Sequence, residues 1–456
     1  MERALKPTSN TPTEITRPLA TFASTLTFDQ IPDDVAFIAK QCILDWLGVT
    51  LAGAQDETTQ ILYDYIKAEG CGDAATLIGL GGRASVSQAA LINGTAGHAL
   101  DYDDVLRIMR GHPTAPVAPP VLAFSEREKK SGRDAVTAFV AGIETQARVG
   151  AFMGESHYAK GWHQTATVGS FGSAAASAKL LGLDPETTAM ALGIAGTQAA
   201  GLKSMFGTMC KPLHAGKAAA NGQYAALLAK RGFTSRPDAI ECSQGFADTQ
   251  SPVIDAEHAL QGLGDRFHTR NMLFKYHAAC YGTHSSIEAL TRLRTAHDID
   301  SKKVEKIEIR VPTRNLRVCN IQEPRTGLEA KFSLRLVSAM ALAGRSTSDI
   351  AGYTDALCAE PELVRLRDCI RVVGAEELER GTSEVIVSMD DGVVYREFGN
   401  VSIPNDDLNE QGRRLEDKFL TLASAVIGEG KARAVVDLVR ELESLESMDA
   451  LAQNCQ

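Results

Sequence analysis

The feature that most constrains this chain is its hydrophobic period, which changes twice along the sequence. Before about residue 260, apolar residues recur at helical spacing. Val35, Ile38, Cys42, Trp46 and Val49 mark one face of a helix over about 33–52. Pro32, Asp33 and Asp34 supply its start. Further helices are expected at about 57–69, 86–100, 116–130, 133–153, 164–181, 185–200 and 212–231. Glycine and alanine crowd the interval from about 50 to 230, and small residues let helices approach closely, so a tightly packed helical domain is expected. From Lys303 to Val311 the period becomes two, the mark of a half-buried strand. Residues 383–398 repeat that pattern around Asp390-Asp391-Gly392, a hairpin signal, and Ile370–Val373 offers a further short strand. Helices interleave at about 283–296, 329–343 and 361–367, and the helical period returns over 406–427 and 430–447. The expected fold is mainly α: a large all-helical domain from residues 15–265 and 400–456, with a smaller α+β domain, 266–399, inserted as a lid.

The length of 456 residues supports two domains, because single cores stop growing at roughly 250–300 residues. The net charge of −10 argues against the basic footprint of a nucleic-acid or anionic-membrane binder. No apolar run reads as the ~20 residues of a membrane span. Met1–Pro12 is polar, without the apolar core of a secretory signal, so a cytoplasmic location is expected. The nine cysteines contain no Cys-x-x-Cys pair and read as reduced thiols.

Thr76–Ala84 matches a dinucleotide-binding Gly-x-Gly-x-x-Ala pattern, with Asp101 downstream. That chemistry needs a strand before the glycines and a helix after them, and a second strand ending at the acid. Leu91–Leu100 reads as helix, so the glycines are expected to form a turn between helices and no dinucleotide cofactor is implied.

Four segments carry groups suited to proton transfer. The first runs His98-Ala-Leu-Asp101-Tyr-Asp103-Asp104, followed by Gly111-His112-Pro113; a carboxylate there can orient a histidine. Its acids have a metal-like spacing, but without a second ligand cluster no metal is expected. The second is Lys160-Gly161-Trp162-His163, in which the histidine is either a proton carrier or a packed core residue. The third, Gly207 to Lys217, sets Lys211, His214 and Lys217 in an Ala/Gly-rich stretch that could form an anion-binding wall. The fourth, Phe274 to His284, packs Lys275, Tyr276, His277, Cys280, Tyr281 and His284 into eleven residues at the domain junction. A Cys/His nucleophilic pair fits these residue types, and so does a zinc site, although the latter lacks a second ligand cluster. Together the segments suggest a His- and Lys-rich pocket for an anionic substrate. In it, lysines clamp carboxylates and stabilise developing carbanion charge while histidines move protons.

These segments resemble the MmgE/PrpD family, whose members include 2-methylcitrate dehydratase, cis-aconitate decarboxylase and iminodisuccinate epimerase. The resemblance rests on Leu91–Asp104, His112-Pro113, Gly161-Trp-His163, Lys211–Gly216, the Lys275–His284 segment and Ala330–Leu334, and covers roughly residues 15–450. It implies a helical domain with an α+β lid, a homodimer, and neither an organic cofactor nor an obligatory metal. It also implies site residues at Asp101, His112, His163, Lys211 and Lys275. His214, Tyr276, Cys280, His284 and Lys331 are then expected to contact substrate. Where the family's decarboxylases carry a histidine, a tyrosine and a threonine, this chain is read as carrying Cys280, Leu336 and Val105.

The expected function is proton transfer next to a carboxylate of a small di- or tricarboxylate. His163 and His112 serve as acid/base groups, Lys211 and Lys275 hold carboxylates, and Asp101 orients a base. The three altered positions and the compact length favour epimerisation of an iminodisuccinate-type substrate. Dehydration of a methylcitrate-like acid and decarboxylation of cis-aconitate are the alternatives. A carboxylate-binding protein without catalysis is the reading outside this class.

Overall fold

The computed structural model describes residues 14–456; Met1–Pro12 lies outside the described residues. The chain divides into two compact units, one comprising residues up to Met272 together with Ala423–Gln456, the other Leu273–Leu422. The inserted arrangement matches the periodicity, but both boundaries fall later than 265/266 and 399/400. The second displacement has a physical cause. Arg414, in the first half of the Leu408–Ile427 helix, pairs with Glu288 and sets its guanidinium 3.7 Å from the Tyr276 ring centroid. That half of the helix therefore belongs with residues 273–422. Hydrophobic period locates a helix but does not say on which unit it packs.

The first unit is helical throughout its core. Asp33–Gly53 forms the expected helix, with Trp46, Leu47 and Leu51 almost wholly buried. This helix is long and apolar enough to cross a membrane, which corrects the sequence-level expectation of no such run; 78 % of the window is buried within the fold. A helix packed on most sides needs apolar residues all round, as a membrane span does. Gly132–Lys160 runs past the expected 133–153 because Gly154, at φ +63°, breaks the helix without ending it. The expected 164–181 helix is split into Gln164–Thr167 and Gly169–Leu180. The C-terminal segment closes back on this unit: Gly132 N donates to Leu445 O at 2.9 Å and Gly79 N to Cys455 O at 2.8 Å.

The dinucleotide-like glycines turn out to lie in a small β-hairpin. Ala75–Leu77 pairs antiparallel with Gly82–Ala84, correcting the expected turn between helices. Three-residue strands are too short for their alternation to be read from sequence. Ile78 N donates to Asn93 Oδ1 at 3.1 Å, so the glycines are tied to the middle of a helix rather than to a helix N-terminus.

The small residues of this unit act as expected. A Cβ added at Gly94 would lie 2.8 Å from Gly216 Cα, and one at Gly216 would lie 2.2 Å from both Leu91 O and Thr95 Oγ1. The Val86–Ala99 and Cys210–Lys230 helices therefore touch backbone to backbone. Since Gly94 meets Gly216 while Asp101 meets Lys211, the end of the first helix lies beside the start of the second.

The second unit holds a four-stranded sheet in the order Ile370–Ala375, Val304–Pro312, Thr382–Met389 and Val394–Asn400. The first pair is parallel and the other two are antiparallel. The predicted Asp-Gly hairpin is present, with Gly392 at φ +87°. A bulge between Val304 and Lys306 turns Val304 and Ile307, three residues apart, to the same buried side. The expected helix at 329–343 starts only at Leu334, where the Ser333 hydroxyl accepts from Leu336 N.

Gly216→Ala should destabilise the fold by about 1–3 kcal/mol, because the neighbouring backbone cannot give way. Gly430→Ala, a helical position with open space around it, should be neutral or stabilising by a few tenths of a kcal/mol. Paired chemical denaturation curves check this, and equal midpoints for the two variants would refute the packing argument.

Candidate functional site

The close helix pair builds one wall of the site. Asp101 follows the last turn of the Val86–Ala99 helix in a left-handed conformation, φ +49°, which aspartate tolerates better than most residues. Lys211 stands in the first turn of the Cys210–Lys230 helix and places its Nζ 2.7 Å from Asp101 Oδ1. His112 Nε2 lies 3.5 Å from the same oxygen. The backbone of His112 is held by its N–H donating to Thr165 Oγ1 at 3.0 Å.

Behind this exposed edge sits a fully buried carboxylate. Asp103 lies 3.0 Å through each oxygen from His98 Nδ1, and its Oδ2 lies 3.2 Å from His112 Nδ1. One anion is thus shared by two imidazoles. The His98 ring packs 4.5 Å from His112 and, nearly parallel, 5.9 Å from His163. His163 is fixed by its N–H donating to Gly201 O at 2.9 Å, and its Nδ1 lies 3.1 Å from His214 Nδ1. The edge of Phe206 meets His163 at 4.9 Å.

Of the residues expected from sequence, Asp101, His112, His163, Lys211 and His214 come together in the first unit. His98, Asp103 and Phe206 join them without having been expected as site residues. His98 and Asp103 stood in the same motif as Asp101, but their five-residue spacing spans a helix end and a turn, where no fixed period applies. Phe206 is a lone aromatic with no signal of its own. The orienting role expected of Asp101 also changes: the carboxylate that holds imidazole nitrogens on a buried side is Asp103, while Asp101 pairs mainly with Lys211.

The electrostatics follow from burial. Burial, and then the cations and imidazoles His98, Lys211, His112 and His214, hold His163 well below the ordinary range, so it is a neutral base at neutral pH. Burial likewise brings His98 down to about 4, against the pull of Asp103. Burial works to raise the Asp103 carboxyl, but His112 and His98 outweigh it and hold the group well below the usual carboxylate range. With its Nδ1 committed to Asp103, His98 leaves Nε2 buried without a hydrogen-bond partner.

His98, Asp101, Asp103 and His112, all from the first of the four segments, each place a nitrogen or oxygen within 4.8 Å of one another. The donor types suit a divalent cation. In this arrangement the Lys211 ammonium already neutralises Asp101, and both Asp103 oxygens face imidazole nitrogens. The two carboxylates thus already face protein cations and imidazole nitrogens, and no step is routed through a metal.

Lys275, Tyr276, Cys280, His284 and Lys331 belong to the second unit. Lys275 is buried there, and the Tyr276 ring lies beneath Arg414. His284 Nε2–H donates to Ala279 O at 3.1 Å, which commits that nitrogen to its own turn. Neighbouring His277 is bound between Thr347 Oγ1 at 2.7 Å and Glu288 Oε1 at 3.0 Å, so both its nitrogens are structural. The Lys331 ammonium lies 5.5 Å from the Tyr353 ring, and Cys280 N donates to Lys331 O at 2.9 Å.

The depressed His98 has a measurable consequence. Unfolded, it takes up a proton near its ordinary 6.5; folded, only at about 4. The unfolded chain therefore binds more protons between those values, and His98 draws stability away as pH falls through that window. Buried carboxyls with raised values act with the opposite sign, so the readout is a difference between proteins. His98→Gln should lose less melting temperature than the parent between pH 6.5 and 4; identical slopes would mean that His98 titrates as it does in water.

Residues 17–258 match the MmgE/PrpD N-terminal domain and residues 277–444 the MmgE/PrpD C-terminal domain. A cis-aconitate decarboxylase of Aspergillus terreus is 27 % identical over 98 % of this chain and 97 % of its own length. The human cis-aconitate decarboxylase is 28 % identical over 96 % of this chain and 93 % of its own. A cis-aconitate decarboxylase-like protein of Aspergillus oryzae is 33 % identical over 63 % of each chain. With both domains matched in order across a helical unit and an inserted α+β unit, this chain belongs to the MmgE/PrpD family.

Proposed function

We propose that the protein is a lyase that decarboxylates a small unsaturated tricarboxylate of the cis-aconitate kind. Relatives spanning nearly the whole chain carry that activity in their names, and for this reason decarboxylation replaces epimerisation as the main reading. The observation that carries it is the pairing of a buried Asp103 shared by two imidazoles with an accessible Lys211–Asp101 edge. In the reaction a C–C bond to one carboxylate breaks and CO2 leaves. Its electron pair shifts through the adjacent double bond, and one proton adds to the carbon skeleton. A trianion and a proton thus give a dianion and CO2.

Each residue has work suited to its environment. Lys211 meets an incoming carboxylate and offsets charge as the electron pair moves. His112, whose Nδ1 lies 3.2 Å from Asp103 Oδ2, delivers the proton through Nε2. His163 is neutral and 3.1 Å from His214, an arrangement in which one ring donates and the other accepts. That pair can pass a proton while keeping the site free of further positive charge.

Proton exchange next to a carboxylate without loss of CO2 is the second reading. It is favoured by Leu336, read from sequence at the decarboxylases' tyrosine position, which is fully buried in the second unit. Incubation with cis-aconitate in deuterated water, followed by NMR and CO2 detection, separates the readings. Decarboxylation gives CO2 and one new carbon–deuterium bond per turnover. Exchange alone supports the second reading, and binding without either leaves only a carboxylate-binding protein. His163→Ala should lower turnover by about 10²–10⁴-fold; near-parental turnover would return His163 to a packing role.

A further inference from the structure

We propose that Asp104 is a positioning residue that latches the turn carrying Asp103 to the turn carrying His112. The inference rests on the proposed proton-transfer role of His112. Asp104 is buried beside Asp103, and its carboxyl meets Thr114. Its Oδ2 lies 2.5 Å from Thr114 Oγ1 and its Oδ1 accepts from Thr114 N at 3.3 Å. Thr114 opens the Thr114–Arg127 helix directly after His112-Pro113. The Asp104–Thr114 contact therefore closes a loop in which His112 is held from both sides, by Asp103 on its ring and by Thr114 through the chain. The Leu106–Gly111 bridge and the Thr165 hydroxyl hold other points of the same turn, and the Asp104–Thr114 contact adds the tie next to the Asp103 carboxylate.

The surroundings explain why the latch is a protonated acid. The charged and titratable groups facing Asp104 are Cys42 and Asp45 on the Asp33–Gly53 helix and Asp103 on its own turn. Cys42 lies within hydrogen-bonding reach of the Asp104 side chain. Burial first, and then the negative charges of Asp45 and Asp103, push the Asp104 carboxyl up to about 8, against the Thr114 hydrogen bonds. A carboxylate there would face Asp103 in a medium of low dielectric and weaken the anion that orients His98 and His112. Two adjacent aspartates in one turn thus hold opposite states: Asp103 charged because imidazoles face it, Asp104 neutral because burial, reinforced by acidic neighbours, is not offset by a facing imidazole.

The test uses full-length protein with 13C-labelled histidine, so that imidazole resonances report the latch whether or not turnover occurs. Asp104→Asn, an isostere of the neutral acid, should leave the His98 and His112 resonances near their parental positions at pH 7, with turnover within about threefold of the parent. Asp104→Ala should move both resonances and lower kcat by up to about 10²-fold, as a misplaced acid does. Should Asp104→Ala fail to fold, Thr114→Val removes the same hydroxyl and should produce the same shifts. In the parent, both resonances should move with a midpoint near pH 8, and Asp104→Asn should abolish that step. The proposal is overturned if the step persists in Asp104→Asn, or if both Asp104→Ala and Thr114→Val leave the resonances unmoved. Absence of decarboxylation in every protein, with these shifts intact, would overturn the proposed reaction and leave the latch standing.

Discussion

The contact between Gly94 and Gly216 is the constraint on which the rest of the site depends. Two helices whose backbones touch leave no room for side chains between them, so their relative position is set within tenths of an ångström. That position decides where the chain emerges from one helix at Asp101 and enters the other at Lys211. The 2.7 Å pair between those residues is a consequence of packing carried out several residues away. Larger residues at the crossing would spread the helices and separate the charges.

Behind that pair, the site is organised by which charges burial permits. Four imidazoles, His112, His98, His163 and His214, follow one another in ring contacts shorter than 6 Å, an arrangement that mutual repulsion would oppose if all were charged. Desolvation keeps His98 and His163 neutral, and a single anion, Asp103, supports the imidazole placed nearest to solvent. The cationic character expected of the pocket thus resides mainly in Lys211. The histidines provide proton capacity rather than fixed charge.

Much of the architecture was legible from residue patterns, because helix and strand periods depend on local chemistry. The helix expected from residue 185 begins at Pro185 with Asp184 as its cap, and the Asp-Gly turn produced the hairpin. The two-residue period at 303–311 held except at the bulge, where a register shift has no local signature. The short hairpin at 75–84 went unread because three residues carry too little alternation. The unit boundary at 422/423 was missed because the Leu408–Ile427 helix runs through it, and only the Arg414 contacts reveal where the change falls.

By itself the sequence determined the longer helices and strands and the family. It also singled out Asp101, His112, His163 and Lys211, which the fold brings together, since residue types and their chain order are visible in one dimension. Tertiary structure alone decided how those groups divide their work. Asp103 and Asp104 are neighbours with the same side chain, and nothing in a one-dimensional pattern distinguishes them. One faces two imidazoles and is charged; the other faces a threonine and two further acidic groups, and holds its proton. The difference arises because the energy of a buried charge is set by what lies within a few ångströms of it, and those neighbours come from distant parts of the chain.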